Sequence, residues 1–193
     1  MIFHLIIIIW ALFPAQNELS LNSVITSPNH DDTVSIRDTL TKPFVLKGYA
    51  HAGGGRPVTR VEVSTDAGAT WDLATLHRTE RPNPYGKYWC WVWWSLSIDG
   101  TRLREGEIWV RAWDTSNSPQ PELPTWTLMG QSSNHIFKVK VHVDTSAKGE
   151  TVYRFEHPTQ PGQQPGGWAT RPADKVKSAG YGRISSLSDG QVF

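Results

Sequence analysis

Residues Val58–Thr65, VTRVEVST, alternate with a period of two. Val58, Arg60, Glu62 and Ser64 fall on one side of an extended chain; Thr59, Val61, Val63 and Thr65 fall on the other. Successive side chains of a strand point to opposite faces, so this pattern describes a half-buried strand. Similar segments recur at Phe44–His51, Trp71–His77, Tyr88–Trp94, Glu107–Asp114 and Ile136–Val143, after a short apolar lead-in at Ser23–Ile25. Gly, Pro, Asn and Asp clusters part them, and no segment sustains an apolar period of 3.6. Short strands at this spacing predict an all-β protein, an antiparallel β-sandwich of about seven strands.

The segment Tyr85–Leu96, YGKYWCWVWWSL, holds four of the ten tryptophans and a single charge, Lys87. Period two sends Trp89, Trp91 and Trp93 to one face and Tyr88, Cys90, Val92 and Trp94 to the other. Both faces are apolar. One can fill the sandwich core; the other needs a cover from the C-terminal extension, a neighbouring domain or a second copy of the chain. A large aromatic side chain buries about 150–250 Å², so three left bare make a patch of the size that marks an interaction site. Trp89, Trp91, Trp93 and Trp94 are therefore the candidate dimer or domain-interface residues. A stacking platform for bases or sugars is the competing reading, but the basic groove of single-strand binders is missing. The run is too short, and too early interrupted by Lys87, for a membrane helix.

A net charge of +1 gives no pull toward nucleic acid or anionic lipid. The single cysteine, Cys90, cannot form an internal disulfide, which suits a reducing, cytoplasmic setting. Flanked by Trp89 and Trp91, it is expected to be buried and inert. Residues 1–16, with the run MIFHLIIIIWALF, form an apolar segment that is non-native or signal-like. It lacks the Lys or Arg of a signal n-region, and as a signal it would imply secretion. Residues 17–145 form the folded domain. Residues 146–170 are a Pro/Gly-rich extension, HPTQPGQQPGGW at its centre, and 171–193 read as a flexible linker.

Candidate chemistry is sparse. AGGGRP at 52–57 is glycine-rich, but a phosphate-cradling loop requires a following helix and a GK[ST] ending. The seven histidines are scattered, without HExxH or His-x-His spacing. His135 and His142 fall on opposite sides of one expected strand. No nucleophile elbow and no paired carboxylates stand out, so no catalytic, metal-binding or cofactor-binding residue is assigned. The irregular stretch WTLMGQSSN, 126–134, carries no chemistry by itself.

Several blocks occur together and in order: SVITSPNHD, LKGYAHAGGGRPVTRVEVSTDAGATW, PYGKYWCWVWWSL, IWVRAWDTSNSPQP and WTLMGQSSNHIFKVKV. They resemble the dimerisation domain of the sulfite oxidase/nitrate reductase family of molybdopterin enzymes. The likeness is nearest to eukaryotic, fungal-type assimilatory nitrate reductase. It covers roughly residues 18–170. It implies an immunoglobulin-like sandwich, a homodimer, a cytosolic location and a molybdenum-cofactor domain of the parent enzyme as neighbour. The parent enzyme holds molybdopterin and reduces nitrate to nitrite in nitrate assimilation. This chain lacks the molybdenum, haem and flavin modules, which makes it a fragment that is not catalytic alone. The resemblance also implies that Leu128-Met129-Gly130 reaches toward the substrate side of the molybdenum centre. Sulfite oxidases resemble this chain there but carry Arg at the position of Met129, which suits a doubly charged anion; Met suits nitrate. The alternative is a stand-alone β-sandwich binding or dimerisation module, secreted if residues 1–16 act as a signal.

Overall fold

A computed structural model of the chain describes residues 17–124 and 133–159. The described elements are β1 (Asn22–Ser27), β2 (Thr33–Ser35), α1 (Ile36–Thr41), β3 (Phe44–His51), β4 (Val58–Ser64), β5 (Asp72–Leu73), β6 (Thr75–His77), β7 (Val92–Ile98), β8 (Gly106–Asp114), β9 (Phe137–Thr145) and β10 (Thr151–Glu156). A 3-10 turn at Gly100–Arg102 precedes β8. Two antiparallel sheets face each other, one ordered β1-β3-β7-β6 and the other β2-β10-β9-β8-β4-β5. This is the antiparallel sandwich that the alternation predicts, with the immunoglobulin-like form that the resemblance implies.

The inner faces supply one continuous core. Leu46, Ala50, Val92 and Trp94 of the four-stranded sheet meet Val61, Val63, Val110, Ala112, Val139 and Phe155 of the six-stranded sheet. Phe44 and Phe155 stack at 5.7 Å. Each fully buried aliphatic or aromatic side chain contributes about 1.5–3 kcal/mol. In β4 a bulge between Val58 and Arg60 resets the pleat, so Val58 is buried although strict alternation places it with Arg60 and Glu62.

Three sequence expectations change. Trp71–His77 is two short strands in different sheets: the chain crosses at Ala74, whose N–H donates to the Val61 carbonyl at 2.9 Å. The extension placed at 146–170 begins inside the sandwich, because Thr151–Glu156 pairs with β9 on one side and β2 on the other. Val152, Tyr153 and Phe155 are buried there, and the Tyr153 hydroxyl donates to the Leu103 carbonyl at 2.8 Å. The boundary near residue 145 therefore falls within a β-hairpin, and the compact unit runs to Pro158. The aromatic strand starts at Val92, not at Tyr88, and continues to Ile98.

Trp94 is 1% exposed and lies in the core, opposite Gly48 of β3. The indole packs where a side chain of residue 48 would stand. A Cβ on Gly48 would fall 2.5 Å from Trp94 Cζ2 and 1.9 Å from the Val24 carbonyl oxygen. Only glycine leaves that space free. The interface role expected of Trp94 is thus overturned: the direction of the β7 pleat gives it to the core.

Candidate interaction surface

The outer face of the four-stranded sheet is built by the odd positions of β3 and β7 and the even positions of β1. Pairing sets Val24 beside Tyr49, Tyr49 beside Trp93 and Trp93 beside His77, one row across all four strands. The Tyr49 ring stands edge-on to Trp91 at 4.6 Å and to Trp93 at 6.0 Å. Trp91 is 58% and Trp93 51% exposed. Val45, on the same face, is also exposed. His77 is tied to Ser95, Nε2 to Oγ, at 2.7 Å. This is the second apolar face that the sequence requires something to cover.

Trp89 belongs to a neighbouring loop rather than to the sheet. The Asn83 side-chain oxygen accepts from the Tyr85 and Lys87 N–H groups at 3.0 and 2.9 Å, turning the chain. Lys87 Nζ and the Tyr88 N–H donate to the Gly54 and Gly55 carbonyls, both at 3.0 Å, and Arg78 donates to the Val58 carbonyl. The Glu80 carboxylate accepts from the Trp89 and Cys90 N–H groups at 3.1 and 2.8 Å. Those donors are thus committed to a carboxylate instead of a strand ladder, so β7 begins only after them. Trp89 is 67% exposed and Cys90 is exposed too, contrary to the buried cysteine that neighbouring tryptophans suggest.

The outer face of the six-stranded sheet also carries tryptophans, and each is covered. Arg60 lies 3.9 Å over Trp113, Arg111 lies 3.8 Å over Trp71, and Lys138 lies 3.6 Å over Trp109. Glu62 joins the lattice: it accepts from Arg60 at 3.0 Å, Arg111 at 2.7 Å and the Trp113 indole N–H at 2.9 Å. Glu107 takes the Trp109 indole N–H at 2.7 Å. Burial pushes the Glu62 carboxyl up, but the Trp113 and Arg111 hydrogen bonds and the nearby positive charges outweigh it, and its pKa lies below the ordinary value.

Met129, the residue that the resemblance carries toward a substrate, lies outside the described residues, as do residues 1–16 and the linker beyond 170. The described chain on either side of 125–132 is held by Gln120, which sequence reasoning passed over. Gln120 is 2% exposed. Its Oε1 accepts from the Ser23 hydroxyl at 2.5 Å and the Ala112 N–H at 2.9 Å, and its Nε2 donates to the Asn134 and His135 carbonyls at 2.9 and 3.2 Å. Asn134 in turn donates to the Leu21 carbonyl at 3.2 Å. A lone glutamine in a Pro-rich loop gives no sign in the sequence that it is buried.

The glycine loop at 52–57 joins β3 to β4. Gly54 and Gly55 have φ of +64° and +68°, and Arg56 bridges Glu18 at 2.7 Å and Asp114 at 2.9 Å. It is a connection closed by its own ion pairs. His135 precedes β9, and His142 pairs with Glu156 at 2.7 Å. Among the described residues, no group of three or more His, Cys, Asp or Glu side chains is placed to hold a metal ion.

Among the described residues, the fold and its surface define a β-sandwich scaffold with an exposed aromatic face on its four-stranded sheet, as an association module has. Residues 14–144 match the model of the family described as the Mo-co oxidoreductase dimerisation domain, and the chain belongs to that family. It is 52% identical to nitrate reductase [NADH] 2 of Phaseolus vulgaris, over 80% of this chain and 18% of that protein. It is 51% identical to nitrate reductase [NAD(P)H] of Hordeum vulgare, over 80% of this chain and 18% of that protein. With nitrate reductase [NADH] 1 of Phaseolus vulgaris the identity is 48%, over 92% of this chain and 20% of that protein. The chain thus spans about a fifth of the length of these curated relatives. The sulfane dehydrogenase SoxCD from Paracoccus pantotrophus aligns at a TM-score of 0.47 and 28% identity, over 72% of this chain and 33% of that chain.

Proposed function

We propose that this chain is the dimerisation module of a molybdenum-cofactor-dependent nitrate reductase that reduces nitrate to nitrite in nitrate assimilation. It joins two copies of the enzyme and supplies no catalytic group from its described residues. The observation that carries this reading is identity of about one half to nitrate reductases across 80–92% of the chain. Molybdopterin then belongs to the parent enzyme's cofactor domain, which, with a second copy, is a partner of this module. Neither nucleic acid nor membrane enters the reading. Trp89, Trp91 and Trp93 provide contact surface, since each leaves a large apolar ring half bare or more. Met129 faces the substrate side of the cofactor domain, and the setting is cytoplasmic, in keeping with a lone exposed thiol.

A chimera tests this. The matching 161 residues of the Phaseolus vulgaris enzyme are replaced by those of this chain, and nitrate turnover and sedimentation are measured. A dimeric enzyme that reduces nitrate supports the reading. An enzyme that loads its cofactor yet sediments as a monomer, or that turns over sulfite instead of nitrate, overturns it. In the same chimera, Met129→Arg is expected to lower nitrate turnover relative to Met129→Leu.

A further inference from the structure

We propose that His30 and His157 form an acid-opened clasp. With both imidazoles neutral they hold the loop between β1 and β2 on the end of β10; protonation releases residue 157 and the loop at 28–30 while the strand pairing beneath survives.

His157 follows β10 directly and is 9% exposed, whereas Pro158, where the compact unit ends, is exposed. Its backbone N–H donates to His30 Nδ1 at 3.0 Å, and its Nε2 lies 2.8 Å from the Pro28 carbonyl oxygen. These contacts fix where the ring protons sit. A ring nitrogen that accepts a hydrogen bond carries no proton, so the His30 proton is on Nε2, 3.3 Å from Asp31 Oδ2. A carbonyl oxygen only accepts, so His157 Nε2 carries the His157 proton. The His157 ring stands edge-on to Phe137 of β9 at 5.6 Å and to His30 at 6.4 Å. Burial pushes this imidazole below the ordinary histidine value; the His30 ring acts the same way, and the Pro28 carbonyl and Asp32 oppose them.

Acid attacks the clasp at both members. A proton on His30 Nδ1 removes the lone pair that the His157 N–H needs and sets two donors face to face. A second proton on His157 places a cation in a buried, partly aromatic site beside the other imidazole. The charged groups around them do not prevent this. Asp31 favours the His30 cation, and its other oxygen is held by Arg154 of β10 at 3.2 Å. Arg154 is shared with Asp144 of β9 at 2.6 Å, Asp32 takes the Asn29 N–H at 2.6 Å, and Glu156 is turned to His142 at 2.7 Å. A histidine held below its ordinary value favours the closed form at neutral pH, and that contribution is lost as pH falls below about 6.5. The contacts beneath do not titrate: the Asp31 N–H donates to the Phe155 carbonyl at 2.7 Å, the Phe155 N–H donates to the Asp32 carbonyl at 3.2 Å, and Tyr153 pairs with Val34. Opening therefore stops short of Phe155.

The experiment is amide hydrogen exchange by NMR on the full 193-residue chain at pH 7.5 and 5.5, corrected for the intrinsic rate, with the imidazole shifts followed over the same range. Protection of the His157 amide is expected to fall by about tenfold or more, and that of Phe155 by less than about twofold. The double variant His30→Asn, His157→Gln keeps an acceptor and a donor near the same places without a titrating group. Its residue 157 amide should stay within about twofold across the two pH values. Wild-type protection at His157 that does not change, or a Phe155 amide that loses protection in step with it, overturns the clasp. So does a folded double variant that responds to acid as wild type does. Should the double variant not fold, the wild-type titration decides: loss of His157 protection must share its midpoint with the His30 or His157 ring, and a separate midpoint overturns the proposal.

Discussion

The two outer faces of this sandwich solve one problem in opposite ways. Each sheet turns tryptophans toward solvent. On the six-stranded sheet, Trp71, Trp109 and Trp113 lie under Arg111, Lys138 and Arg60, and the Trp109 and Trp113 indole N–H groups end on Glu107 and Glu62. The rings are roofed by charges of the same chain, and a cation over an aromatic face adds about 0.5–1 kcal/mol at exposed sites. On the four-stranded sheet, Tyr49 stands edge-on to both Trp91 and Trp93, and among the described residues no cation lies over either ring. Among the described residues, the chain roofs its tryptophans on one sheet and leaves Trp91 and Trp93 half exposed on the other. The difference teaches that the count of surface tryptophans says little, and their cover says much.

The largest effect should separate two neighbours in sequence. Trp94→Ala is expected to cost about 3–5 kcal/mol in urea unfolding, as for a large core aromatic truncated to alanine. A loss under 1 kcal/mol would place Trp94 outside the core and undo the pleat on which the face comparison stands. Gly48→Ala tests the same packing from the opposite side. Its new Cβ meets a backbone oxygen that cannot rotate away, so a loss of about 1–3 kcal/mol or more is expected from overpacking. A melt like wild type would show that β1 and Trp94 yield easily.

Glu62→Gln probes the roofed face. Hydrogen bonds to a charged group contribute about 1.5–3 kcal/mol when well shielded; partial exposure should bring the loss to about 1–2 kcal/mol at neutral pH. The sign with pH follows from the lowered carboxyl. Glu62 stabilises the fold above the ordinary glutamate range, and that contribution fades as pH falls through its lowered folded value. The gap between wild type and Glu62→Gln should therefore narrow in acid; a gap that widens would mean that Glu62 is not the acceptor at the centre of the lattice. The smallest effect is expected from Trp93→Ala, under about 0.5 kcal/mol in the stability of the dissociated chain, although it weakens association. If its loss of monomer stability approaches that of Trp94→Ala, the bare face is part of the core and the contrast between the two sheets fails.

Much of the fold was legible because period two survives wherever one face is buried. Phe44–His51 matches β3 residue for residue, and Val58–Thr65 and Glu107–Asp114 match β4 and β8 within one residue at an end. The strand at Thr151–Glu156 was hidden because Val152 and Tyr153 are buried side by side, so its alternation is broken, and because a Pro/Gly-rich stretch follows it. The candidate surface was half legible. Alternation groups Trp91 with Trp93, but it wrongly extends the strand back to Tyr88. The hydrogen bonds from the Trp89 and Cys90 N–H groups to Glu80 that end it join residues nine and ten positions apart.

By itself, the sequence determined that this chain is an antiparallel sandwich with more aromatic surface than one core can absorb, because side-chain alternation is a local property of extended backbone. It also carried the blocks that place it among Mo-co oxidoreductase dimerisation domains. Only the tertiary structure decided that Trp94 fills the core and Trp93 does not, that Tyr49 completes the bare row, and that Arg60, Arg111 and Lys138 roof the other tryptophans. These depend on which strands become neighbours and in which register. Register is fixed by long-range pairing, such as Gly48 with Trp94 and Tyr49 with Trp93, and no single stretch of sequence contains it.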